Sequence, residues 1–367
     1  MQTQGISTRH SASHSLREAV ENMVFGCGET APGARVLIVR EAGGGGYYSS
    51  ELAGAVGSAI RSMDLEVKQA EVAFDPQARS LPTDLVRQMT EVDLTIFLAR
   101  IGDQVRFIEM PPGTRAIVSY ALDSQALSSA FGTAPYRALV EIKSVVEVAM
   151  SDAAVEIRCP AGTQVSGRAG DGIDSSEDVS IRRFPMLVPR PEMAKNYSGR
   201  VALCGFLTGT GTRYYEPYNV IFTEPVFALF TNGRLTGFEG SSRDVARAND
   251  QYDSVSKRFG IDRDFVHSWH AGIHPACAFQ GRAADDYVRW GGSAFGNPRL
   301  LHFHTCGNYA PGEISWNVID PTITADGVAI WEDGRLYPER VPGGAEILAR
   351  YPQVAELFAR PSREIGL

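Results

Sequence analysis

Five of the seven histidines of this 367-residue chain lie in the 38 residues from 267 to 304. They are His267, His270, His274, His302 and His304. A neutral imidazole is a good ligand for zinc or iron, and an imidazole with a pKa near neutrality also transfers protons. The cluster therefore indicates a site that binds a metal ion or that uses histidine as a general acid or base.

His302 and His304 are separated by one residue in the apolar segment LLHFH. Side chains two residues apart point to the same face of a β-strand, a spacing that suits a two-histidine metal site. We therefore predict that this pair lies on one face of a strand and that both residues are catalytic.

The segment HSWHAGIHP (267–275) contains the other three histidines. They would share a face only in a helix, which Gly272 and Pro275 disfavour. In an extended segment, His270 and His274 point the same way. A carboxylate often completes a metal site, and Glu313 is near in the sequence. The predicted ligands of a zinc or iron ion are His267, His270, His274, His302, His304 and Glu313.

The elements that position these residues change in character along the chain. Up to about residue 153, apolar runs such as RVLIVR (35–40) and DLTIFLA (93–99) alternate with segments of helical periodicity. This alternation predicts an α/β domain (16–153) with a parallel sheet covered by helices on both faces.

From residue 154 the chain has short strand-like runs and the turn pairs Asn232-Gly233 and Asp333-Gly334. Asn-Gly and Asp-Gly adopt the positive φ angles of tight hairpins. We predict a mainly antiparallel, β-rich α+β domain (154–342) that carries the active site, followed by a C-terminal helix and tail (343–367).

The overall composition narrows the class of protein. The formal net charge is −8, and no basic cluster favours binding to nucleic acid. No segment approaches the roughly 20 apolar residues that cross a bilayer, and the polar start does not resemble a signal peptide. Five widely spaced cysteines without a C-x-x-C pair favour a reducing compartment. We expect a cytoplasmic enzyme with a small-molecule substrate and no nucleic-acid or membrane partner.

Several segments occur in an order that is found in a known group of enzymes. They span about residues 155–340 and are CPAGTQVSG (159–167), NVIFTEPV (219–226), NGRLTGFEG (232–240), HAGIHP (270–275), GNPRLLHFHTCGN (296–308) and ISWNVIDPTITADGVAIWEDGRL (314–336). In this order the chain resembles the aminopeptidase T family of metallopeptidases and the 2,5-dihydroxypyridine dioxygenases that share its fold. The resemblance implies an α/β domain followed by a β-rich domain, a metal-dependent activity and a homodimer.

The chain departs from that family at most positions of the metal ligands. The resemblance implies ligands where this chain has Val220, Ser268, Ser315 and Asn317, and it retains His302 and, as a further catalytic residue, Tyr309. Serine and asparagine are poor ligands for a transition metal, so the metal site would have to be rebuilt from the histidine cluster. The predicted substrate-binding residues are Ser268, Trp269, Ser315, Asn317 and Tyr215.

Three functions follow from these observations. The first is aminopeptidase-like hydrolysis of an amide-type bond in a small molecule, with a metal-activated water. The second is ring cleavage of a hydroxylated aromatic or heteroaromatic compound by a non-haem iron dioxygenase. The third is a metal-free enzyme in which histidine is the acid–base group on the same scaffold. A non-catalytic ligand-binding protein or a structural relic of an enzyme is a further alternative, and the polar, histidine-rich segments disfavour a relic.

Overall fold

The structure is a computed structural model that describes residues 15–44, 46–106, 108–170, 180–210, 212–307 and 311–367. The chain divides into two compact units. One comprises Met1–Leu139 and Asp174–Met186, and the other comprises Val140–Ile173 and Leu187–Leu367. The first unit is an α/β structure and the second is rich in β-strands, which confirms the predicted fold class.

The strands and helices are short and numerous in the described ranges. The strands are β1 (Arg35–Glu41), β2 (Glu66–Val72), β3 (Leu94–Leu98), β4 (Ala116–Ser119), β5 (Ala154–Arg158), β6 (Gln164–Arg168), β7 (Arg182–Phe184), β8 (Glu192–Met193), β9 (Tyr197–Ala202), β10 (Phe206–Thr208), β11 (Asn219–Ile221), β12 (Phe227–Thr231), β13 (Arg234–Glu239), β14 (Val266–Ala271), β15 (Leu300–Thr305), β16 (Ile314–Ile319), β17 (Thr322–Ala325), β18 (Val328–Glu332) and β19 (Arg335–Leu336). The α-helices are α1 (15–21), α2 (Leu52–Arg61), α3 (Thr83–Thr90), α4 (Ile101–Gln104), α5 (Ser124–Ser128), α6 (Ala130–Thr133), α7 (Tyr136–Met150), α8 (Ser242–Phe259), α9 (Tyr287–Ala294), α10 (Gly344–Arg350) and α11 (Pro352–Ala359).

The sheet of the first unit has the strand order β2-β1-β3-β4-β7, and its strands pair in parallel. Leu37, Val39, Phe97 and Val118 are buried in its core. A strand of a covered parallel sheet is apolar on both faces, which explains the unbroken apolar run of β3. The edge strand β7 comes from residues 182–184, which the sequence pattern did not assign to this sheet.

The second unit contains two antiparallel sheets. The larger has the order β13-β12-β9-β6-β5-β17-β18-β19, and the smaller has the order β11-β10-β16-β15-β14-β8. The predicted hairpins are present, because Asn232 and Gly233 have φ angles of 49° and 70°, and Asp333 and Gly334 have 48° and 71°. Both positions of each turn therefore have the left-handed backbone that Asn-Gly and Asp-Gly pairs favour.

The two faces of the smaller sheet differ in polarity. Trp269, Phe303 and Trp316 are direct neighbours across β14, β15 and β16, and all three are buried. Phe230 on β12 packs against Phe303 and Trp316, with ring centroids 5.7 and 5.8 Å apart. This aromatic row buries one face of the sheet, and the residues that alternate with it must lie on the opposite face.

The first turn of helix α8 contains a buried carboxylate. Ser241 caps the helix by accepting a hydrogen bond from the backbone N–H of Asp244. Asp244 Oδ2 accepts hydrogen bonds from the N–H and hydroxyl of Thr223 and from the N–H of Glu224, at 2.8–3.0 Å. Burial alone would raise the pKa of Asp244, but these donors and the Ser241 hydroxyl lower that pKa to about 2.

The low pKa of Asp244 predicts a loss of stability in acid. An unfolded aspartate has a pKa of about 3.9, so the folded state binds this proton less tightly than the unfolded state. The stabilisation is fully present above about pH 4 and decreases as the pH falls towards 2. We expect the free energy of unfolding, measured with urea, to fall over this range. Asp244→Asn should flatten that part of the pH profile, and a variant with an unchanged profile would contradict the assignment.

None of the helices in the described ranges is long and apolar enough to cross a membrane. Cys27, Cys159, Cys204, Cys277 and Cys306 are free thiols.

Candidate metal centre

The polar face of the smaller sheet positions the histidines. In the register of its strands, His270 on β14 lies directly opposite His302 on β15, and His302 lies opposite Asn317 on β16. Directly opposite residues share a face, as do residues two apart on one strand. The next row on this face therefore consists of Ser268, His304 and Ser315, which are paired across the same three strands.

Three imidazoles converge at one point on this face. His270 Nε2 lies 2.7 Å from His302 Nε2 and 3.1 Å from His304 Nε2. The three side chains offer ligand atoms that all lie within 4.8 Å of one another. Two nitrogens bound to one ion at about 2.1 Å stand about 3.0–3.4 Å apart in octahedral or tetrahedral geometry. The spacing of the triad is therefore close to that of ligands on a single ion.

The other ring nitrogen of two of these histidines has an acceptor beside it. His270 Nδ1 lies 3.1 Å from the carbonyl oxygen of Pro189, and His304 Nδ1 contacts the carboxylate of Glu313. A carbonyl or carboxylate oxygen only accepts, so each Nδ1 carries the hydrogen. In the neutral rings Nε2 then presents a lone pair. Lone pairs directed at a common point are stabilised by a proton or a metal ion between them, and the acceptors at Nδ1 are the usual outer partners of metal-binding histidines.

The surroundings of the triad are buried and partly aromatic. His270 and His302 are 5% and 2% exposed, and Glu313 is 5% exposed. The ring of Phe295 stacks on His302 with centroids 4.2 Å apart and an interplanar angle of 23°. Tyr215 donates a hydrogen bond from its hydroxyl to the backbone carbonyl of Glu313 at 2.8 Å. These contacts hold His302 and the Glu313 segment in place and exclude water, which strengthens electrostatic interactions at the site.

Two predicted ligands lie away from the converging group. His267 is next to an irregularity of β14, and its Nδ1 lies 2.8 Å from the hydroxyl of Ser268. His274 follows the strand, and its Nδ1 accepts a hydrogen bond from the N–H of Ala276 at 3.2 Å. Neither belongs to the group of three, although both are buried. Their role as ligands stays a prediction.

The predicted substrate-binding residues fall in different places. Ser268, Ser315 and Asn317 lie on the polar face beside the triad. Trp269 lies on the opposite, aromatic face, where it packs against Tyr197 with ring centroids 5.7 Å apart. Tyr309, predicted to be catalytic, lies outside the described residues.

Sequence reasoning missed Pro189 and Phe295. Pro189 contributes only its backbone carbonyl, which every residue has, so its type gave no signal. Phe295 comes from the end of α9, and an aromatic residue at such a position is as typical of a core as of a site. The pairing of distant segments is what places both against the triad.

Comparison with known proteins identifies the fold. No protein-family model matches the chain, and no curated protein sequence matches it. Among solved structures, it is similar to the 2,5-dihydroxypyridine dioxygenase of Pseudomonas putida KT2440, with a TM-score of 0.57 and 13% identity over 89% of this chain and 97% of that chain. AmpT from Thermus thermophilus matches with a TM-score of 0.44 and 10% identity over 88% of this chain and 99% of that chain. The chain thus has a fold like that of the Pseudomonas dioxygenase, with an α/β unit and a β-rich unit.

Proposed function

We propose that His270, His302 and His304 hold one divalent transition-metal ion and that the protein is a metal-dependent enzyme acting on a small molecule. The convergence of three Nε2 atoms, two of them in rings whose Nδ1 faces a fixed acceptor, carries this proposal. In the described ranges no other group of three His, Cys, Asp or Glu side chains converges in this way. A single ion is therefore favoured over a pair of ions.

The donor set favours hydrolysis. Three neutral imidazoles with a remaining open position are typical of catalytic zinc, which lowers the pKa of a bound water to near neutrality. In this chain Glu313 orients His304 and increases the basicity of its ring through the contact at Nδ1. The backbone carbonyl of Pro189 does the same for His270. The bond that is broken would be an amide-type bond of a small molecule, in line with the hydrolase predicted from the sequence.

The fold favours a second candidate function. The solved structure with the TM-score of 0.57 is that of a 2,5-dihydroxypyridine dioxygenase. Imidazole ligands also suit iron, and the ring of Phe295 beside His302 gives the site an aromatic wall. Ring cleavage of a hydroxylated aromatic compound is therefore the alternative reaction.

The third candidate function is that of a metal-free enzyme. It would require the triad to share a proton in place of a metal ion.

Metal analysis tests the proposal directly. We expect about one zinc or iron ion per chain by plasma mass spectrometry of untagged protein purified without chelators. Zinc, together with hydrolysis of amino-acid p-nitroanilides, would support the first reaction. Iron, together with oxygen consumption on 2,5-dihydroxypyridine, would support the second. Protein that binds neither ion after reconstitution would contradict the metal centre and leave histidine acid–base chemistry.

A further inference from the structure

Asn317 is a buried polar residue next to the triad. It lies directly opposite His302, so its side chain shares the polar face with the three imidazoles. Cβ atoms of directly opposite residues stand about 4.5–5.5 Å apart, which places the amide within reach of a molecule bound at the triad. The side chain of Asn317 is 0% exposed.

The amide of Asn317 is only partly satisfied by the protein. Its Oδ1 accepts a hydrogen bond from the hydroxyl of Ser315 at 3.3 Å, which fixes the orientation of the amide. Its Nδ2 has no hydrogen-bond partner among the described residues. A buried donor without a partner costs free energy, and a leucine of similar size would avoid this cost.

The nitrogens of the triad that face one another provide no donor to a substrate. If the Nε2 atoms of His270, His302 and His304 are metal ligands, these atoms supply lone pairs only, and the Nδ1 hydrogens of His270 and His304 already face Pro189 and Glu313. An oxygen that gains negative charge in a reaction is stabilised by a fixed donor aimed at it. Asn317 Nδ2 is such a donor in the position next to His302.

We propose that Asn317 Nδ2 donates a hydrogen bond to an oxygen of the substrate, and that the substrates are small molecules with a carbonyl or carboxylate oxygen next to the reacting atom. Ser315 is the positioning residue that holds the amide in this orientation. This inference rests on the proposed metal centre, since the substrate oxygen is placed beside the ion.

The experiment uses the full chain loaded with cobalt(II), whose visible spectrum reports ligands at the ion. Acetohydroxamate, which carries a carbonyl oxygen, is titrated into the wild type, Asn317→Leu and Ser315→Ala, and imidazole, which has no acceptor left once one nitrogen binds the ion, is the matched probe. We expect Asn317→Leu to bind acetohydroxamate about 10-fold or more weakly, Ser315→Ala to be intermediate, and imidazole binding not to be weakened. We also expect Asn317→Leu to melt at the same or a higher temperature than the wild type.

Failure of the metal centre and failure of the role of Asn317 give different results. A wild-type protein that binds no cobalt overturns the metal centre and this inference together. Equal acetohydroxamate affinity in the wild type and Asn317→Leu, with normal cobalt spectra, overturns the role of Asn317 alone. Loss of cobalt from Asn317→Leu also overturns it, because the residue would then support the metal site rather than the substrate. If Asn317→Leu does not fold, Asn317→Ala is judged by the same criteria.

Discussion

The double variant His302→Ala/His304→Ala is expected to lose its bound metal and to lose about 10³-fold or more in kcat/KM. Two of the three converging Nε2 atoms are removed, and His270 alone cannot hold a divalent ion against the buffer. Metal content by plasma mass spectrometry and steady-state kinetics on the reconstituted protein measure the two effects. Circular dichroism and thermal melting establish that the variant is folded.

His267→Gln is the matched control for this variant. It removes an imidazole from the same sheet, but one whose Nδ1 faces Ser268 and which lies outside the converging group. We expect it to retain about one ion per chain. Equal loss of metal in His267→Gln and in the double variant would show that the ligand set is wider than the triad, as the sequence alone predicted.

Glu313→Gln is expected to weaken metal binding by about 10–100-fold while the protein remains folded. Glutamine keeps the size of the side chain but removes the negative charge beside His304 Nδ1. The ring of His304 then becomes a poorer ligand, and its orientation is less fixed. The Kd for zinc, measured by competition with a chromophoric chelator, reports this effect without reference to any substrate.

The exposed carboxylate of Glu224 supplies the comparison. Glu224→Gln makes the same chemical change away from the triad and should leave the Kd for zinc at the wild-type value. A Glu313→Gln protein that binds zinc as tightly as the wild type would show that the contact with His304 has no role in metal binding. A greater loss in Glu313→Gln than in the histidine variants would instead identify Glu313 as a direct ligand.

Local sequence patterns were sufficient to predict the fold class of each unit and the shared strand face of His302 and His304. Apolar runs such as that of β3 require burial on both faces, and this predicts a parallel sheet wherever helical segments alternate with them. Asn232-Gly233 and Asp333-Gly334 predicted hairpins, because few other pairs adopt two positive φ angles at low cost. The period of two along a strand placed His302 and His304 on one face without any knowledge of their neighbours.

The tertiary structure decided which residues contact His302 and His304. His270 reaches the triad because β14 pairs with β15 in a register that sets it opposite His302. A shift of one residue would have presented Trp269 to the polar face instead. The carbonyl of Pro189 and the ring of Phe295 come from segments whose sequence carries no signal for this contact. Alternation along a strand is a local property that a sequence displays, whereas register depends on how whole faces are buried, and only the folded chain fixes it.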